Sequence, residues 1–327
     1  MNFPPPLIFE PLQLPHRQTF ILLHGRGSWA EKFAPELLQT PLPRSSPQNH
    51  AGSSQCAKSA HGPTNALPDQ KPAMTLQTSF PHARFVFPTA PRRRAALNRR
   101  ALTHQWFDSW KLDPPATERE ELQIEGLRGT ALYLHELLRG EIARVPGGAR
   151  NVVLGGLSQG CAASLVALLL WEGEGLGGVV GMCGRLPFAD RIIAEARDEG
   201  GYQELGFDPF AADGSDAGDV GHGSEVEDTP VRKAAGWLRE QLDLPAPEAS
   251  SGILPLQKVP IFLGHGAQDE KVSIELGRRA AECLETLGAR VCWKEYGDLG
   301  HWYSPEMLGD LACFLLETLA VPAQINE

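Results

Sequence analysis

Val152-Val153-Leu154-Gly155-Gly156-Leu157-Ser158-Gln159-Gly160-Cys161-Ala162-Ala163-Ser164-Leu165-Val166-Ala167-Leu168 reads as an apolar strand, a tight turn and an apolar helix. Ser158 stands at the turn, with a glycine two positions away on either side. This is the pattern of a nucleophile elbow. The serine takes strained backbone geometry, and the glycines omit the Cβ atoms that would collide as the helix packs back on the strand. The hydroxyl then lies at a helix N-terminus, where backbone N–H groups and the positive end of the dipole face any oxyanion formed beside it. The chain has 34 glycines, so the five-residue pattern alone is weak. The apolar strand before it and the apolar helix after it give it weight.

A nucleophilic serine needs a base to take its proton and a carboxylate to fix that base in one tautomer. In sheet proteins that use such an elbow, the chain order is serine, then acid, then histidine. Val259-Pro260-Ile261-Phe262-Leu263 reads as a buried strand opening into Gly264-His265-Gly266-Ala267-Gln268-Asp269, which nominates Asp269 as the acid. Val291 to Tyr296 alternates as a strand should and opens into Gly297-Asp298-Leu299-Gly300-His301, which nominates His301 as the base. Asp298 and Glu270 are local competitors for the acid. His265 competes as the histidine but precedes the acid, which is the wrong order. A second oxyanion donor is expected from the loop after an early strand. Thr19-Phe20-Ile21-Leu22-Leu23 followed by His24-Gly25-Arg26-Gly27-Ser28 fits, so the backbone N–H groups of Arg26 and Gln159 form the expected pair. A phosphate-binding reading of that loop is weaker, because no Gly-Lys-Ser/Thr or full dinucleotide fingerprint is present.

Several blocks in order resemble the acyl-protein thioesterase and carboxylesterase family of α/β-hydrolases, sometimes grouped with lysophospholipases. They are Leu23-His24-Gly25-Arg26-Gly27, Pro88-Thr89-Ala90-Pro91 with Asn98, Trp106-Phe107-Asp108, Gly155 to Gly160, Leu186-Pro187, His265 to Asp269 and Gly297 to His301. The resemblance spans about 17–40, 82–190 and 256–319. It implies an α/β-hydrolase fold and a cytosolic serine hydrolase, monomeric or dimeric, that needs no cofactor. Such an enzyme cleaves acyl thioesters or oxyesters through an acyl-enzyme, its partner being an acylated protein or a small-molecule ester. A lysophospholipase or small-ester carboxylesterase is the alternative within the enzymes, and a non-catalytic hydrolase-fold binding protein the alternative outside them. The resemblance also implies substrate-binding roles for Trp106, Phe107 and Leu186, the two aromatics forming a wall of the acyl channel; for those two, a buried aromatic pair in the core is the competing reading. The family usually has an acidic residue at Ser28, a small apolar one at Arg26 and a glycine at Cys161. Arg26 supplies its backbone N–H whatever its side chain, whereas its guanidinium bears on which acyl or leaving group is accepted. Cys161 reads as a small packing residue.

Of 40 acidic residues, ten lie between Asp198 and Asp228 with no Lys or Arg among them, which leaves 30 acidic against 30 basic residues elsewhere. The net charge of −10 argues against a nucleic-acid partner. The basic cluster Arg92-Arg93-Arg94 with Arg99-Arg100 reads as a solvated loop, with an anionic-substrate or lipid-surface role as the alternative. Six cysteines show no Cys-x-x-Cys or Cys/His ligand spacing, so no metal site is expected. Met1-Asn2-Phe3-Pro4-Pro5-Pro6 begins with no basic, apolar leader, and no membrane span is apparent. A reducing cytoplasm is therefore the expected setting.

Strand and helix patterns alternate along the chain: strands at 19–23, 84–87, 152–155, 178–183, 259–263 and 291–296, helices at 30–39, 119–144, 161–171, 274–287 and 305–319. This predicts a mostly parallel sheet flanked by helices, in one domain over 1–327, with the three catalytic candidates at strand C-terminal ends. Two insertions are expected. Residues 41–79 are polar and aperiodic and read as a mobile surface loop. Residues 191–255 carry the acidic run and one amphipathic segment, Val231 to Leu242, placed where a lid over the acyl channel would stand; a surface excursion with one docked helix is the alternative.

Overall fold

Seven strands share one sheet in the order β1 (Leu7–Phe9), β3 (Ala83–Phe87), β2 (Gln18–Leu23), β6 (Val152–Leu157), β7 (Gly178–Met182), β8 (Pro260–Gly266) and β9 (Arg290–Tyr296), all parallel except the β1–β3 pair. The computed structural model describes residues 2–43, 73–113, 116–197, 229–245 and 255–320. Along the chain come β1 (Leu7–Phe9), β2 (Gln18–Leu23), α1 (Ala30–Gln39), α2 (Leu76–Ser79), β3 (Ala83–Phe87), β4 (Arg92–Ala95), β5 (Ala101–His104) and α3 (Glu121–Arg144). They are followed by β6 (Val152–Leu157), α4 (Gln159–Leu169), β7 (Gly178–Met182), α5 (Ala189–Ala196) and α6 (Pro230–Gln241). The order closes with β8 (Pro260–Gly266), α7 (Ile274–Thr286), β9 (Arg290–Tyr296) and α8 (Pro305–Ala320).

The central strands are apolar on both faces because both are covered. Successive side chains of a strand point to opposite sides. Ile21, Leu23, Val152 and Leu154 therefore enter a core shared with α3 to α7, while Phe20, Leu22, Val153 and Leu157 enter the opposite core with α1 and α8. Sequential crossovers thus place helices on both faces, the α/β-hydrolase arrangement expected.

The expected insertions are narrower than the sequence suggested. Residues 73–79 belong to the packed body: Thr75 caps α2, its side chain accepting from the Thr78 N–H, and Leu76 is buried. Residues 44–72 and the acidic run 198–228 lie outside the described residues. The amphipathic segment is α6, and it is no lid. Val231, Leu238 and Leu242 are buried in the core that holds Phe188, Ile192 and Ile193, and none of them lines the cleft at Ser158. Its apolar face is covered by α5 and the body, with Trp237 set edge-on to Phe188 at 6.0 Å between ring centroids. Leu238→Ala should therefore lower the unfolding free energy by about 2–5 kcal/mol through lost burial and a residual cavity. Urea melts measure this, and a change in acyl-chain preference without lost stability would return α6 to the role of a cover.

The arginine-rich segment also differs from the expected loop. β4 pairs with β5 as a separate antiparallel ribbon, Arg92 opposite His104 and Ala95 opposite Ala101. The ribbon touches the site through His104, whose carbonyl accepts the Gly27 N–H at 2.8 Å and whose Nδ1 faces the Ala90 carbonyl at 2.7 Å. Among the described residues no helix is long and apolar enough to cross a membrane.

Candidate active site

Ser158 sits between β6 and α4 at φ 57° and ψ −117°, a region that side chains rarely adopt. Its N–H donates to the Met182 carbonyl of β7 at 2.8 Å, and its carbonyl accepts the Ala162 N–H at 3.1 Å, so the strain is held from both sides. The flanking glycines serve a contact the sequence did not specify. A Cβ on Gly160 would lie 2.5 Å from the Leu23 carbonyl oxygen and 2.7 Å from that of His24, and one on Gly156 would lie 2.6 Å from Leu23 O. Their bareness therefore lets the elbow press on the end of the neighbouring strand β2, where the Arg26 loop begins. Cys161 is a packing residue: a Cβ on Gly181 or Gly184 would come within 2.4 Å of its Sγ, so the thiol fills the space those glycines leave. Burial, with Cys183 nearby, pushes its thiol up to about 12 and keeps it protonated.

His301 Nε2 is 2.9 Å from Ser158 Oγ, and its Nδ1 lies 2.7 Å from Asp269 Oδ2 and 2.9 Å from Oδ1. An ionised carboxylate only accepts, so Nδ1 carries the proton and Nε2 is left to accept from the serine hydroxyl. Asp269 also accepts the N–H groups of Lys271 and Val272, each at 2.9 Å, and faces His265 Nε2 at 3.2 Å. Burial acts to raise its pKa. The hydrogen bonds from His265, His301 and the Val272 amide outweigh burial and hold the carboxyl well below the usual carboxylate range. His265 is thus placed behind the acid. Its Nε2 is shared between Asp269 and the Val272 carbonyl at 2.9 Å, both acceptors, so Nε2 bears the proton. Asp298 and Glu270 are exposed, and neither bonds to His301 among the described residues. Backbone bonds tie the acid and histidine loops together: Ala267 N–H donates to Tyr296 O at 2.8 Å and Gln268 N–H to Leu299 O at 2.9 Å. Gly266 permits the approach, since a Cβ there would lie 2.2 Å from Leu299 O.

Arg26 and Gln159 both line the cleft at Ser158, and the backbone N–H of neither donates to another described residue. The Arg26 loop is anchored by His24. Its Nδ1–H donates to Gly25 O at 2.7 Å, its Nε2 accepts the Ala90 N–H at 3.0 Å, and its carbonyl accepts Trp106 Nε1–H at 2.8 Å. Burial pulls the His24 pKa down to about 4, so the imidazole stays neutral as its accepting Nε2 requires. Gln159 also works through its side chain, which accepts the Trp106 N–H at 3.0 Å and donates to the Phe107 carbonyl at 2.7 Å.

The cleft measures about 360 Å³. Phe107 lines it together with Leu97, Trp110, Leu112, Val272 and Trp302. Trp106 does not: it is fully buried, bonded to His24 and stacked near Phe3, because its indole N–H finds its acceptor inside the body. Leu186 does not either, and lines a second cavity with Glu120 and Phe188. The sequence reading missed Arg185, which lines both cavities, and Ser109, which lines the cleft and bonds to Arg26. Arg185 follows β7 by three residues, and position at a strand's C-terminal end was the available signal. Among the described residues no three His, Cys, Asp or Glu side chains converge to hold a metal ion.

The sequence model of the phospholipase/carboxylesterase family matches residues 67–197 and 235–319. The chain belongs to this family. The family match takes in α2 and most of α5 and α6, regions that the motif resemblance left out. Acyl-protein thioesterase 1 of Yarrowia lipolytica is 25% identical over 241 residues, 73% of this chain and 79% of that protein. Carboxylesterase SOBER1 of Arabidopsis thaliana is 24% identical over 254 residues, 76% of this chain and 83% of that protein. The crystal structure of Zea mays acyl-protein thioesterase 2 superposes with a TM-score of 0.58 at 20% identity, covering 96% of this chain and 99% of that one, which shows a shared fold. In this family member Ser158, His301 and Asp269 lie in hydrogen-bond contact.

Proposed function

We propose that this protein is a serine hydrolase of carboxylic esters and thioesters, with Ser158 as nucleophile, His301 as general base and then acid, and Asp269 as its orienter. The observation that carries the reading is the unbroken contact from Ser158 Oγ through both His301 nitrogens to Asp269, at 2.9 and 2.7 Å. Ser158 Oγ attacks the carbonyl carbon while its proton moves to His301 Nε2. The oxygen that becomes negative is met by the N–H groups of Arg26 and Gln159, and Asp269 stabilises the imidazolium. Collapse expels the alkoxide or thiolate, which takes the proton from His301 and leaves the acyl group on Ser158. A water then gives its proton to His301 and attacks the acyl-enzyme, and collapse breaks the acyl–Oγ bond while His301 returns that proton to Ser158 Oγ, which releases the carboxylic acid and the free serine. Phe107 and the neighbouring apolar side chains form the acyl wall. The names of the relatives point to an acylated protein or a small ester as substrate. The whole chain is taken as one catalytic domain. A cytoplasmic setting is part of the same proposal, supported by all five described cysteines being free.

The test is covalent. A fluorophosphonate should label the protein at one site per chain, mapped by peptide mass to Ser158, and abolish hydrolysis of 4-nitrophenyl hexanoate in proportion. Labelling elsewhere, or turnover that survives full labelling of Ser158, would overturn the assignment.

A further inference from the structure

The cleft holds cations and no counter-charge. Arg26, Lys111, Arg185 and Lys271 all line it, and no Asp or Glu is among its lining residues. Asp269 faces His301, with its side chain fully buried behind that ring. The two arginines are nearly idle. Arg26 Nη1 donates to the neutral Ser109 Oγ at 3.1 Å, and Arg185 Nη2 donates to the neutral Gln123 Oε1 at 2.7 Å. Neither guanidinium forms an ion pair among the described residues. Arg185 is only 7% exposed, and a charge that deeply buried ordinarily has a partner. Its situation is worsened by Arg26, whose charge opposes it, while Glu120, the acid that favours it, lines the other cavity. Asp108 acts on Arg26 from beyond ion-pair distance, its oxygens taken by the N–H groups of Ala96 and Ser109. The Ser28 hydroxyl adds a further polar group in the same cleft, buried and without a partner among the described residues.

Two repelling guanidiniums facing one cleft, each with spare N–H donors, form a receptor for an oxyanion. A bound carboxylate would supply the missing counter-charge to both and accept charge-assisted hydrogen bonds from them. Resting on the hydrolase reading above, we propose that the preferred substrates are esters or thioesters carrying a carboxylate or phosphate, held by Arg26 and Arg185 beside Ser158. The shared chemistry is the oxyanion. It enters either on the acyl chain or on the leaving group.

Two matched pairs separate these sources: 4-nitrophenyl hydrogen adipate against 4-nitrophenyl hexanoate, and 4-acetoxybenzoate against its methyl ester. Each kcat/KM is divided by the ester's rate with imidazole alone, which removes intrinsic reactivity. The wild-type protein should favour the anionic member of one pair by about ten-fold or more, and the pair that responds identifies the side. Arg185→Gln should lower that ratio by about ten-fold, and Arg185→Lys should retain most of it. Lys271→Gln, at an exposed position, should lower it by only about two-fold. Ratios at or below one in both wild-type pairs overturn the proposal, and so does an Arg185→Gln variant that loses anionic and neutral esters equally. The wild-type ratios decide the matter even if Arg185 variants fail to fold. Turnover of the neutral hexanoate and labelling of Ser158 report on the hydrolase reading by itself, so the two can fail separately.

Discussion

Ser158→Ala should lower kcat by about 10⁴- to 10⁶-fold with unchanged folding, and Asp269→Asn by about 10⁴-fold. The asparagine case is the more telling. Four donors face the Asp269 carboxylate: His301 Nδ1–H, His265 Nε2–H and the amides of Lys271 and Val272. An amide in that place must aim its own N–H groups at one of them, or turn His301 so that Nδ1 accepts. The second outcome leaves Nε2 protonated and unable to take the serine proton, which is why an isosteric change disables the base. Some stability should be lost as well, because a buried donor set loses its acceptor. Asp298→Asn, at an exposed side chain with no bond to His301, should change kcat by less than about two-fold. Single-turnover rates on 4-nitrophenyl hexanoate read all three variants. Equal damage from Asp298→Asn and Asp269→Asn would move the acid to the histidine's own loop.

What the sequence made legible follows from how each element is covered. The central strands are buried on both faces, so their apolar runs stand out, and Ser158, Asp269 and His301, the proposed triad, follow at strand ends in the expected chain order. α3, expected at 119–144 and found at Glu121–Arg144, was visible because one long face packs on α4 and β6. β1 is three residues long and lies on the sheet's edge, too short to set up a period. β4 and β5 pair only with each other, so their outward arginines carry no apolar alternation and read as a loop. α6 shows why an amphipathic face is an incomplete clue: periodicity revealed the stripe through Val231, Leu238 and Leu242 and said nothing about what covers it. The Trp106-Phe107 pair divides for a similar reason. Gln159 pins both backbone positions, yet the indole turns inward to the His24 carbonyl and the phenyl ring reaches the cleft. Arg185 was hidden because its importance depends on which acids are absent around it, and only the assembled cleft shows that.

Gly160→Ala should reduce kcat/KM by about 10²-fold or more while the protein still folds. One methyl group is asked to occupy space 2.5 Å from Leu23 O and 2.7 Å from His24 O, and both obstacles are backbone, which cannot rotate aside. Either α4 lifts at its first turn or the end of β2 retreats. The first movement displaces Gln159 N–H and Ser158 together, and the second displaces the loop that carries Arg26 N–H. In both cases the two amides proposed as oxyanion donors are displaced from each other, and the loss is expected to fall on the transition state, where the negative charge develops. The expected signature is a lower kcat with KM little changed, accompanied by a smaller loss of stability, because the strain is local to the elbow. Fluorophosphonate labelling should slow as well, since that reagent also places a negative oxygen in the same hole. A Gly160→Ala protein with wild-type kcat and labelling rate would mean that Arg26 and Gln159 do not form the oxyanion site.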